Sequence, residues 1–555
     1  MTDAKTHILT VSVEEYFHAG ALAGAVRPKH WDRFEPRLAR TIDLLLASLA
    51  RHGHTATFFV LGCIADDHPD LVRTIVDAGH EVACGGYWPR SVAAQTPAEF
   101  RADLRRAKRA IEDASGCEVR GFRAPRHWLA PDDLWCLDVL VEEGFAYDSS
   151  INPSLATFAG KPQFTVIREH ARAGGSIWEL PITTVGIGGL RLAATGGNYA
   201  RQLPHRVMRR IVAHLDRTHD APLVFYLMSW ELDTLQPHVT ALPRLGRMRM
   251  YRNLGKTKWV FEDYFSTYRF RAIADHLCLA RVPVLERPRL DRPVALPEAS
   301  LPVPSGVPVS LVVPLYNEEP NVAYLHRALA HFRAHLARTH RVHVVLVDDG
   351  SQDGTWPALQ AHFGSDGDTL LIRQPVNGGV AAAIRAGIDR APTDVVCSID
   401  CDLSYDPTTL AEMIPLIGDA DIVTASPYHP AGRVMHVPAW RLFLSKTLSR
   451  LYSRVLGDRI HTYTSCCRVY RRSTMQRVDV VHGGFLGVAE MLIRARLGGA
   501  RVVEHPATLE SRLFGESKMK VARTIRGHLG LLWELLWKHK SSGRQRVASQ
   551  PTAAR

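Results

Sequence analysis

The chain is 555 residues long, 46% hydrophobic and 22% charged, and carries a formal net charge of +12 at pH 7. This length exceeds one ordinary hydrophobic core and the composition excludes a largely disordered chain, so we expect two or more globular domains. The positive charge suits phosphates, nucleic acid or an anionic membrane, but no basic run with interleaved aromatic residues favours nucleic acid, and no nucleic-acid partner is expected.

Three features of the sequence predict a cytoplasmic protein. The nine cysteines contain no Cys-x-x-Cys pair, which indicates reduced thiols. Met1–His7 is polar and leads directly into a strand, unlike a secretory signal. No run of about 18 apolar residues is present, so a membrane-spanning helix is not expected.

The first region of the chain alternates predicted strands with predicted helices. Its successive motifs are Ile8–Phe17, Thr55–Gly62, the helix His68–Ala78, Gly79–Ala83, Arg123–Pro125, Tyr147–Ser150 and Tyr226–Asp233. This alternation predicts an α/β fold and makes a β/α barrel plausible. The order of motifs over about residues 8–285 resembles the polysaccharide deacetylases of the NodB type. That resemblance implies a distorted barrel and removal of acyl groups from sugar amides by a metal-bound water.

The catalytic positions of that family are replaced in this sequence. The position of the base holds Ser12, the two metal-ligand histidines fall on Gly85 and Pro89, and the late histidine falls on Met228. None of these side chains binds a hard cation or carries a proton as the family requires. We therefore predict a degenerate deacetylase site, without hydrolytic activity and without a metal.

The remaining polar residues cannot restore a three-ligand site. Glu14 or Glu15 is left as a single ligand, with Arg123 and Asp148 as supports. One carboxylate does not hold a catalytic metal that activates water. Substitute ligands would have to come from His18, His127 or Cys84. A sugar could still bind beside Trp88, Trp128 and Trp230, although core packing is the simpler interpretation of these residues.

A proline-rich segment, Arg281–Pro308, separates the two regions. Such a segment neither pairs in a sheet nor holds a helix, and acts as a semi-rigid spacer. We therefore predict a first domain over 1–285, a linker over 286–307 and a second domain over 308–540. The small, polar and basic tail at 541–555 is expected to be disordered.

In the second region three buried strands end in polar residues. Val309–Leu315 leads into Asn317 and Glu318, Val342–Val347 leads into Asp348 and Asp349, and Asp394–Ile399 leads into Asp400 and Asp402. Open α/β sheets bind ligands at these carboxyl ends. Hard cations that bridge a diphosphate prefer carboxylate oxygens. Asn377-Gly378-Gly379 opens the predicted helix Ala381–Asp389, whose free N–H groups suit an anion.

These motifs resemble the family 2 glycosyltransferases of GT-A fold, which have a Rossmann-like nucleotide-sugar-binding domain. The closest pattern is that of the dolichyl- or polyprenyl-phosphate mannose synthases. The motifs that carry the resemblance are Val313–Glu318, Val347–Thr355, Asn377–Gly379, Asp400–Leu403, Ala425–Tyr428, Glu490–Leu492 and Arg512 with Gly515–Lys518. The resemblance implies transfer of a sugar from a nucleotide donor with inversion at the anomeric carbon.

The resemblance also implies a role for each motif. Asp400 and Asp402 would hold Mg²⁺ or Mn²⁺ and the diphosphate, and Arg512 and Lys518 would contact phosphates of donor or acceptor. The nucleotide sugar would be bound by Pro314, Tyr316, Asn317, Glu318, Asp348, Asp349, Asn377, Gly378 and Gly379. Two departures, Ser404 for the usual Gln and Pro427 for the usual Arg, weaken the expected metal site and phosphate clamp.

The sequence narrows the chemical class of the sugar acceptor only in part. A lipid phosphate is already ionised and attacks without a base, whereas a sugar hydroxyl needs a carboxylate, for which Glu490 is the candidate. A structural role for Glu490 remains an equal alternative. Trp440–Leu456 and Ile525–Lys540 are basic, aromatic and amphipathic, so they either lie on a membrane or pack on the sheet.

The sequence thus predicts a glycosyltransferase with a degenerate deacetylase-like domain that could bind glycan, active in cell-envelope polysaccharide synthesis. The expected partners are a nucleotide sugar, a polyprenyl-phosphate or glycan acceptor, and peripherally the inner face of the cell membrane. Three alternatives stay open: a bifunctional transferase and deacetylase with unusual ligands, a polysaccharide synthase acting on hydroxyls, and a non-catalytic carbohydrate-binding scaffold.

Overall fold

The structure is a computed structural model that describes residues 5–126, 128–188, 190–284, 306–435, 437–515 and 524–536. The chain divides into two compact units. The second unit takes the residues from Pro297 onward and two short segments, Pro28–Glu35 and Val239–Ala241; the first takes the remainder. Residues 286–305 of the proposed linker and the tail at 541–555 lie outside the described residues, whereas Val307 already belongs to a strand.

The first unit is built on a nine-stranded, largely parallel sheet. The strands of this unit are β1 Thr6–Val13, β2 Thr57–Val60, β3 Glu81–Cys84, β4 Gly121–Phe122, β5 Tyr147–Asp148, β6 Arg168–Arg172, β7 Gly175–Glu179, β8 Thr184–Ile187, β9 Leu190–Ala193, β10 Val224–Met228 and β11 Arg269–Arg271. The helices are α1 Leu38–His52, α2 Gly62–Asp67, α3 Pro69–Asp77, α4 Pro97–Ser115, α5 Cys136–Glu142, α6 Gly197–Gln202, α7 His205–Thr218, α8 Arg244–Tyr251, α9 Leu254–Thr267 and α10 Ile273–His276.

The strand order β10-β1-β2-β3-β4-β5-β7-β6 curves toward a barrel without closing through a regular ladder. Between β7 and β10 the gap is bridged by irregular backbone. The main-chain N–H of Val224 donates to the Thr183 hydroxyl at 2.8 Å, and Tyr226 donates to the Thr195 carbonyl at 3.2 Å. This agrees with the distorted β/α barrel predicted from the sequence.

The second unit contains a seven-stranded sheet in the order β14-β13-β12-β15-β18-β16-β19, in which only β18 runs antiparallel to its neighbours. The strands are β12 Val307–Leu315, β13 His340–Asp348, β14 Thr369–Arg373, β15 Val395–Ser398, β16 Ile422–Ser426, β17 Arg433–Val434, β18 Arg468–Arg471, β19 Val502–Pro506 and β20 Thr508–Leu509. The helices are α11 Glu319–Leu336, α12 Thr355–Phe363, α13 Val380–Arg390, α14 Thr408–Met413, α15 Ala439–Leu456, α16 Arg472–Met475, α17 Phe485–Leu497 and α18 at 524–536.

Burial explains why the central strands carry almost no polar residues. Val309–Leu315 of β12 is buried throughout, because helices cover both faces of a parallel sheet. β17 and β20 form a separate two-stranded sheet. The predicted α/β class is confirmed in both units. No described helix is long and apolar enough to cross a bilayer.

Candidate functional site

The ends of three neighbouring strands meet at one edge of the second sheet. Leu315 of β12 pairs with Asp348 of β13, and the N–H of Ile399 after β15 donates to the Val312 carbonyl at 3.2 Å. Because β12, β13 and β15 run parallel, the polar residues that follow them share this edge. The sequence predicted this arrangement from the three strand ends.

The first two of these loops are cross-linked by hydrogen bonds. The main-chain N–H of Asn317 donates to the Ser351 hydroxyl at 2.8 Å, and Gln352 donates to the Asn317 side-chain oxygen at 2.7 Å. The N–H of Glu318 donates to the Thr355 hydroxyl at 2.8 Å. Ser351 and Thr355 were not predicted as site residues, although their place after the Asp-Asp-Gly turn was a usable signal. The side-chain oxygen of Asn317 thus links the two loops, and its expected role toward the nucleotide stays a prediction.

Asp349 organises the glycine-rich loop before α13. Its two carboxylate oxygens accept hydrogen bonds from the main-chain N–H groups of Gly378 and Gly379, at 2.8 and 2.7 Å. Burial raises the pKa of Asp349, and these two hydrogen bonds oppose that rise. The structure therefore gives Asp349 a loop-ordering role, and its expected direct hold on the nucleotide stays a prediction.

The other predicted nucleotide-binding residues divide into buried and accessible ones. Asp348 is fully buried and accepts from the main-chain N–H of Ser351 at 3.0 Å, with Arg373 Nε 3.4 Å from its second oxygen. Pro314 lies buried within β12, opposite Val347, and its expected contact with the nucleotide stays a prediction. Tyr316 is partly exposed, and Asn377 and Gly378 are exposed at the edge.

Acidic residues and one arginine gather at the end of β15. An oxygen of Asp402 lies 2.7 Å from Arg512 Nη2, and its other oxygen accepts from the N–H and hydroxyl of Ser404 at 3.0 and 2.8 Å. Arg512 Nη1 also lies 3.9 Å from Glu318. Burial, and next the charge of Asp402, raise the pKa of Asp400. The arrangement brings Asp400, Asp402 and Arg512 together as predicted, and Ser404 supports Asp402. Lys518 lies outside the described residues.

Glu490 is buried within α17, and both of its carboxylate oxygens are engaged. Oε2 accepts from the main-chain N–H groups of Val481 and His482, at 3.2 and 2.9 Å, and from His482 Nδ1 at 2.9 Å. Oε1 accepts from Arg494 Nε at 2.5 Å. A carboxylate that is fully buried and saturated in this way has no accessible lone pair for an acceptor hydroxyl. These contacts favour the structural alternative for Glu490, and its expected catalytic role stays a prediction.

The loop that Glu490 holds packs directly on the glycine-rich loop. The Gly483 carbonyl accepts from the Ala382 N–H at 3.0 Å. A Cβ at Gly483 would lie 1.9 Å from the Gly378 carbonyl oxygen, and one at Gly379, where φ is +91°, would lie 2.7 Å from the Gly483 oxygen. Asp349 and Glu490 thus brace the same backbone from two sides. His482 and Gly483 were missed, although a Gly-Gly pair before a helix often marks close backbone approach.

In the first unit two substituted catalytic positions face each other. Ser12 of β1 and Met228 of β10 are register partners in adjacent parallel strands. Gly85 is buried, and a Cβ there would lie 3.2 Å from the Val60 carbonyl oxygen. Pro89 is also buried. The prediction of a degenerate, metal-free site stays a prediction, and within the described residues no group of three or more His, Cys, Asp or Glu residues is arranged to hold a metal.

The two glutamates after β1 have different surroundings. Glu15 accepts hydrogen bonds from the main-chain N–H groups of Arg37 and Leu38, at 2.8 and 3.0 Å, and so satisfies the free donors that begin α1. Burial raises the pKa of both Glu14 and Glu15 to about 7. For Glu14 the charges of Arg126 and Arg123 oppose this rise. Glu15 is therefore engaged with the start of α1, and which of the two glutamates belongs to the degenerate site stays a prediction.

The remaining polar residues of that site are internally satisfied or buried. Arg123 donates to the Ser149 carbonyl and hydroxyl, both at 2.8 Å, while Asp148 accepts from Ser150. Burial lowers the pKa of His18 to about 3 and raises that of Cys84 to about 12. His127 lies outside the described residues. Trp230 is buried with the Arg201 guanidinium 5.7 Å from its ring centre, and the ring centre of Trp128 lies 5.5 Å from that of Tyr226, edge to face.

Sequence comparisons match both regions to known family models. Residues 310–478 match "Glycosyl transferase family 2", residues 34–129 match "Polysaccharide deacetylase", and residues 149–277 match a domain of unknown function, DUF3473. Both predicted resemblances are confirmed.

Individual relatives match the second region. Polyprenol monophosphomannose synthase of Mycolicibacterium smegmatis is 34% identical over 222 residues, covering 38% of this chain and 80% of the relative. Undecaprenyl-phosphate mannosyltransferase of Micrococcus luteus is 29% identical over 241 residues, covering 41% and 96%. The solved structure of glucosyl-3-phosphoglycerate synthase from Mycobacterium tuberculosis is 16% identical, covers 42% of this chain and 80% of its own, and has a TM-score of 0.33. Through its second unit, the chain belongs to glycosyl transferase family 2 and is a glycosyltransferase.

Proposed function

We propose that the second unit transfers a sugar from a nucleotide-sugar donor to a polyprenyl phosphate, with inversion, at the cytoplasmic face of the membrane. The observation that carries this proposal is the shared sheet edge of β12, β13 and β15. There Asp400, Asp402 and Glu318 lie together with Arg512, whose guanidinium is 2.7 Å from Asp402. The names of the two family 2 relatives support the lipid-phosphate acceptor.

The donor set at this edge fits a divalent cation held jointly by protein and substrate. Mg²⁺ is commonly bound by one or two carboxylates together with substrate phosphates and water, and two aspartates supply that number here. Asp402 and Asp400 would hold the cation, which would neutralise the departing diphosphate. Arg512, already oriented by Asp402, would contact a phosphate of donor or acceptor through its guanidinium.

The glycine-rich loop supports the nucleotide part of the proposal. Asp349 fixes its N–H groups, and neither Gly379 nor Gly483 leaves room for a side chain. Asn377 is exposed at this loop and would face the nucleotide sugar. In the transfer, an oxygen of the acceptor phosphate would bond to the anomeric carbon as the bond from that carbon to the diphosphate breaks. The ionised acceptor phosphate needs no general base, which agrees with a Glu490 carboxylate whose two oxygens are both engaged in hydrogen bonds.

Exposed apolar residues on α15 and α18 support a membrane-facing acceptor. Trp440 and Phe443 of α15 are 50% and 70% exposed, and Trp533 of α18 is 69% exposed. The opposite faces of these helices are buried, where the Tyr452 hydroxyl lies 2.9 Å from His528 Nδ1. An amphipathic helix whose second apolar face remains exposed suits a lipid interface. We propose that these helices attach the enzyme peripherally.

For the first unit we propose binding of glycan without hydrolysis. Ser12, Gly85, Pro89 and Met228 supply no metal ligand of the kind the related enzymes use, and Glu15 is committed to α1. We also propose that residues 1–285 and 308–540 are separate domains joined by the proline-rich segment.

A donor screen tests the transfer. Purified full-length protein is incubated with labelled nucleotide sugars and a polyprenyl phosphate, with Mg²⁺, with Mn²⁺ or with chelator, and labelled lipid is measured. We expect metal-dependent label in lipid, lost in Asp402→Asn and kept in Asp419→Asn, which changes an exposed aspartate outside the cluster. Label in soluble oligosaccharide without lipid would overturn the acceptor assignment.

A further inference from the structure

The second unit contains a basic groove that the transfer site does not use. Its volume is about 550 Å³, and the residues that define it are Tyr428, Lys446, Arg450, Arg454, Arg459 and His461. Three of the cations lie on α15 at intervals of four residues, so they form one row along the helix. Arg459 follows directly after the helix and completes the basic lining.

The positive charges of this groove are only partly offset from within the protein. Within the described part of the chain, no hydrogen bond or ion pair joins the side chains of Lys446, Arg450, Arg454 or Arg459 to an acidic group. Asp458 also lines the groove, where it accepts from the Tyr463 hydroxyl, and its charge offsets one of these four cations. His461 is paired with Glu504 at 2.6 Å. The groove therefore carries an uncompensated positive charge that suits an anion.

The neighbouring face of α15 indicates where that anion comes from. Trp440, Phe443, Leu444 and Leu451 are exposed along the same helix, at spacings that place them on one side. A helix that lies in a membrane interface buries such a side among acyl chains and turns its basic row toward the headgroups. The groove would then open at the level of lipid phosphates.

We propose that this groove binds the phosphodiester headgroup of an anionic membrane phospholipid, and so orients the enzyme on the membrane. The inference rests on the proposed membrane attachment of α15. The groove is assigned to bulk lipid and not to the acceptor because its lining contains none of Asp400, Asp402, Glu318 and Arg512. The acceptor phosphate must reach those residues, whereas a headgroup in the groove only has to anchor the helix.

Vesicle co-sedimentation of the full-length protein tests the proposal. The vesicles are pure phosphatidylcholine, phosphatidylcholine with phosphatidylglycerol, or phosphatidylcholine with polyprenyl phosphate. The test variant is Arg450→Gln/Arg454→Gln/Arg459→Gln. The control, Arg338→Gln/Arg390→Gln/Arg496→Gln, removes the same charge from exposed arginines outside the groove. Thermal unfolding confirms that both variants remain folded.

Each basic residue near an anionic surface contributes about fivefold to partitioning, so the test variant should bind phosphatidylglycerol vesicles about 100-fold more weakly. The control should change by less than about threefold. Transfer to an acceptor dispersed in detergent should stay within about twofold of the unmodified protein.

Equal losses of vesicle binding in the test and control variants would show that net charge alone explains the binding. That result would overturn the assignment of a headgroup to the groove. A loss confined to polyprenyl-phosphate vesicles, or a raised KM for acceptor in detergent, would make the groove an acceptor subsite and overturn the assignment. Because vesicle binding is measured without a sugar donor, the binding result can be interpreted even if the protein shows no transfer activity.

Discussion

The carboxylate of Glu490 accepts hydrogen bonds from the main-chain N–H and from the ring Nδ1 of His482, both at 2.9 Å. Burial alone would raise the pKa of Glu490, but these bonds and the one from Arg494 hold it below its usual value. The carboxylate is therefore a charged, internal brace for the 481–484 loop. Since that loop packs on Gly378 and Gly379, a residue of α17 contacts the proposed nucleotide site through the backbone.

Replacing Glu490 should impair donor binding more than chemistry. In Glu490→Leu, the N–H groups of Val481 and His482 lose their acceptor inside the protein, a loss worth about 2–4 kcal/mol. We expect the KM for nucleotide sugar to rise at least tenfold, with faster hydrogen exchange over 377–383 and 481–484. Steady-state kinetics and exchange followed by mass spectrometry measure both effects.

A matched control separates this brace from a general base. Glu412→Leu removes a carboxylate that is 71% exposed and pairs with His505, and should leave both measurements unchanged. If Glu490→Leu instead lowered kcat alone, with normal KM and normal exchange, Glu490 would be acting on the acceptor and the brace would be wrong.

The close contact between the two glycine loops leads to a second prediction. Gly379 has φ +91°, and a Cβ there would lie 2.7 Å from the Gly483 carbonyl oxygen. Gly379→Ala therefore combines an unfavourable backbone conformation with a steric clash, and should weaken nucleotide binding by about 1–3 kcal/mol. Titration with UDP and GDP measures the change. Gly367→Ala, where a Cβ meets no atom within 4 Å, serves as control; a similar loss there would contradict the steric explanation.

The sequence was sufficient to predict which residues meet at the sheet edge, but not which groups their side chains contact. Buried strands ending in Glu318, Asp349 and Asp400 predicted which residues meet, because parallel strands bring their carboxyl ends together. It could not show that Asp349 points at Gly378 and Gly379, or that Glu490 points away from the ligand edge. Those orientations depend on contacts between loops about 30 and 110 residues apart, which no local pattern encodes.

In the first unit, too, the sequence predicted the fold and the site positions but not the contacts of individual side chains. The motif order predicted the barrel and the replaced positions Ser12 and Met228. It could not distinguish Glu14 from Glu15, because adjacent residues of an irregular segment have no fixed periodicity. Only the position of α1, whose first N–H groups point at Glu15, separates the two roles.

The ion pair between Asp402 and Arg512 leads to a third prediction. Arg512→Gln removes the guanidinium that lies 2.7 Å from Asp402 and leaves the Asp400–Asp402 pair without its nearest cation. We expect transfer to fall about 100-fold, since the pair and a bound phosphate both lose a charged partner. Arg512→Lys should recover part of the rate, because the lysine ammonium keeps the positive charge but lacks the two-pronged hydrogen-bonding geometry of the guanidinium. Activity close to normal in Arg512→Gln would exclude the proposed phosphate contact.

Glu14 leads to a prediction about pH. Burial raises its pKa to about 7 in the folded unit, above the value of 4.5 expected for an exposed glutamate. Between these values the folded state binds more protons than the unfolded state, so the free energy of unfolding should fall as the pH rises from about 4.5 to about 7 and then level off. The contribution of Glu14 to this fall is at most about 3 kcal/mol.

Two isosteric variants distinguish the contributions of the adjacent glutamates. Glu14→Gln removes a buried charge that accepts no hydrogen bond from the start of α1, so it should stabilise the first unit at pH 8 and leave it nearly unchanged at pH 4. Glu15→Gln keeps only one acceptor oxygen for the N–H groups of Arg37 and Leu38, so it should gain less or lose stability. Urea unfolding of the full chain at pH 4, 6 and 8, with hydrogen exchange read at peptides of β1 and α1, measures these differences. A Glu14→Gln variant that keeps the same slope as the unmodified protein between pH 5 and 7 would show that this carboxyl does not titrate in that window.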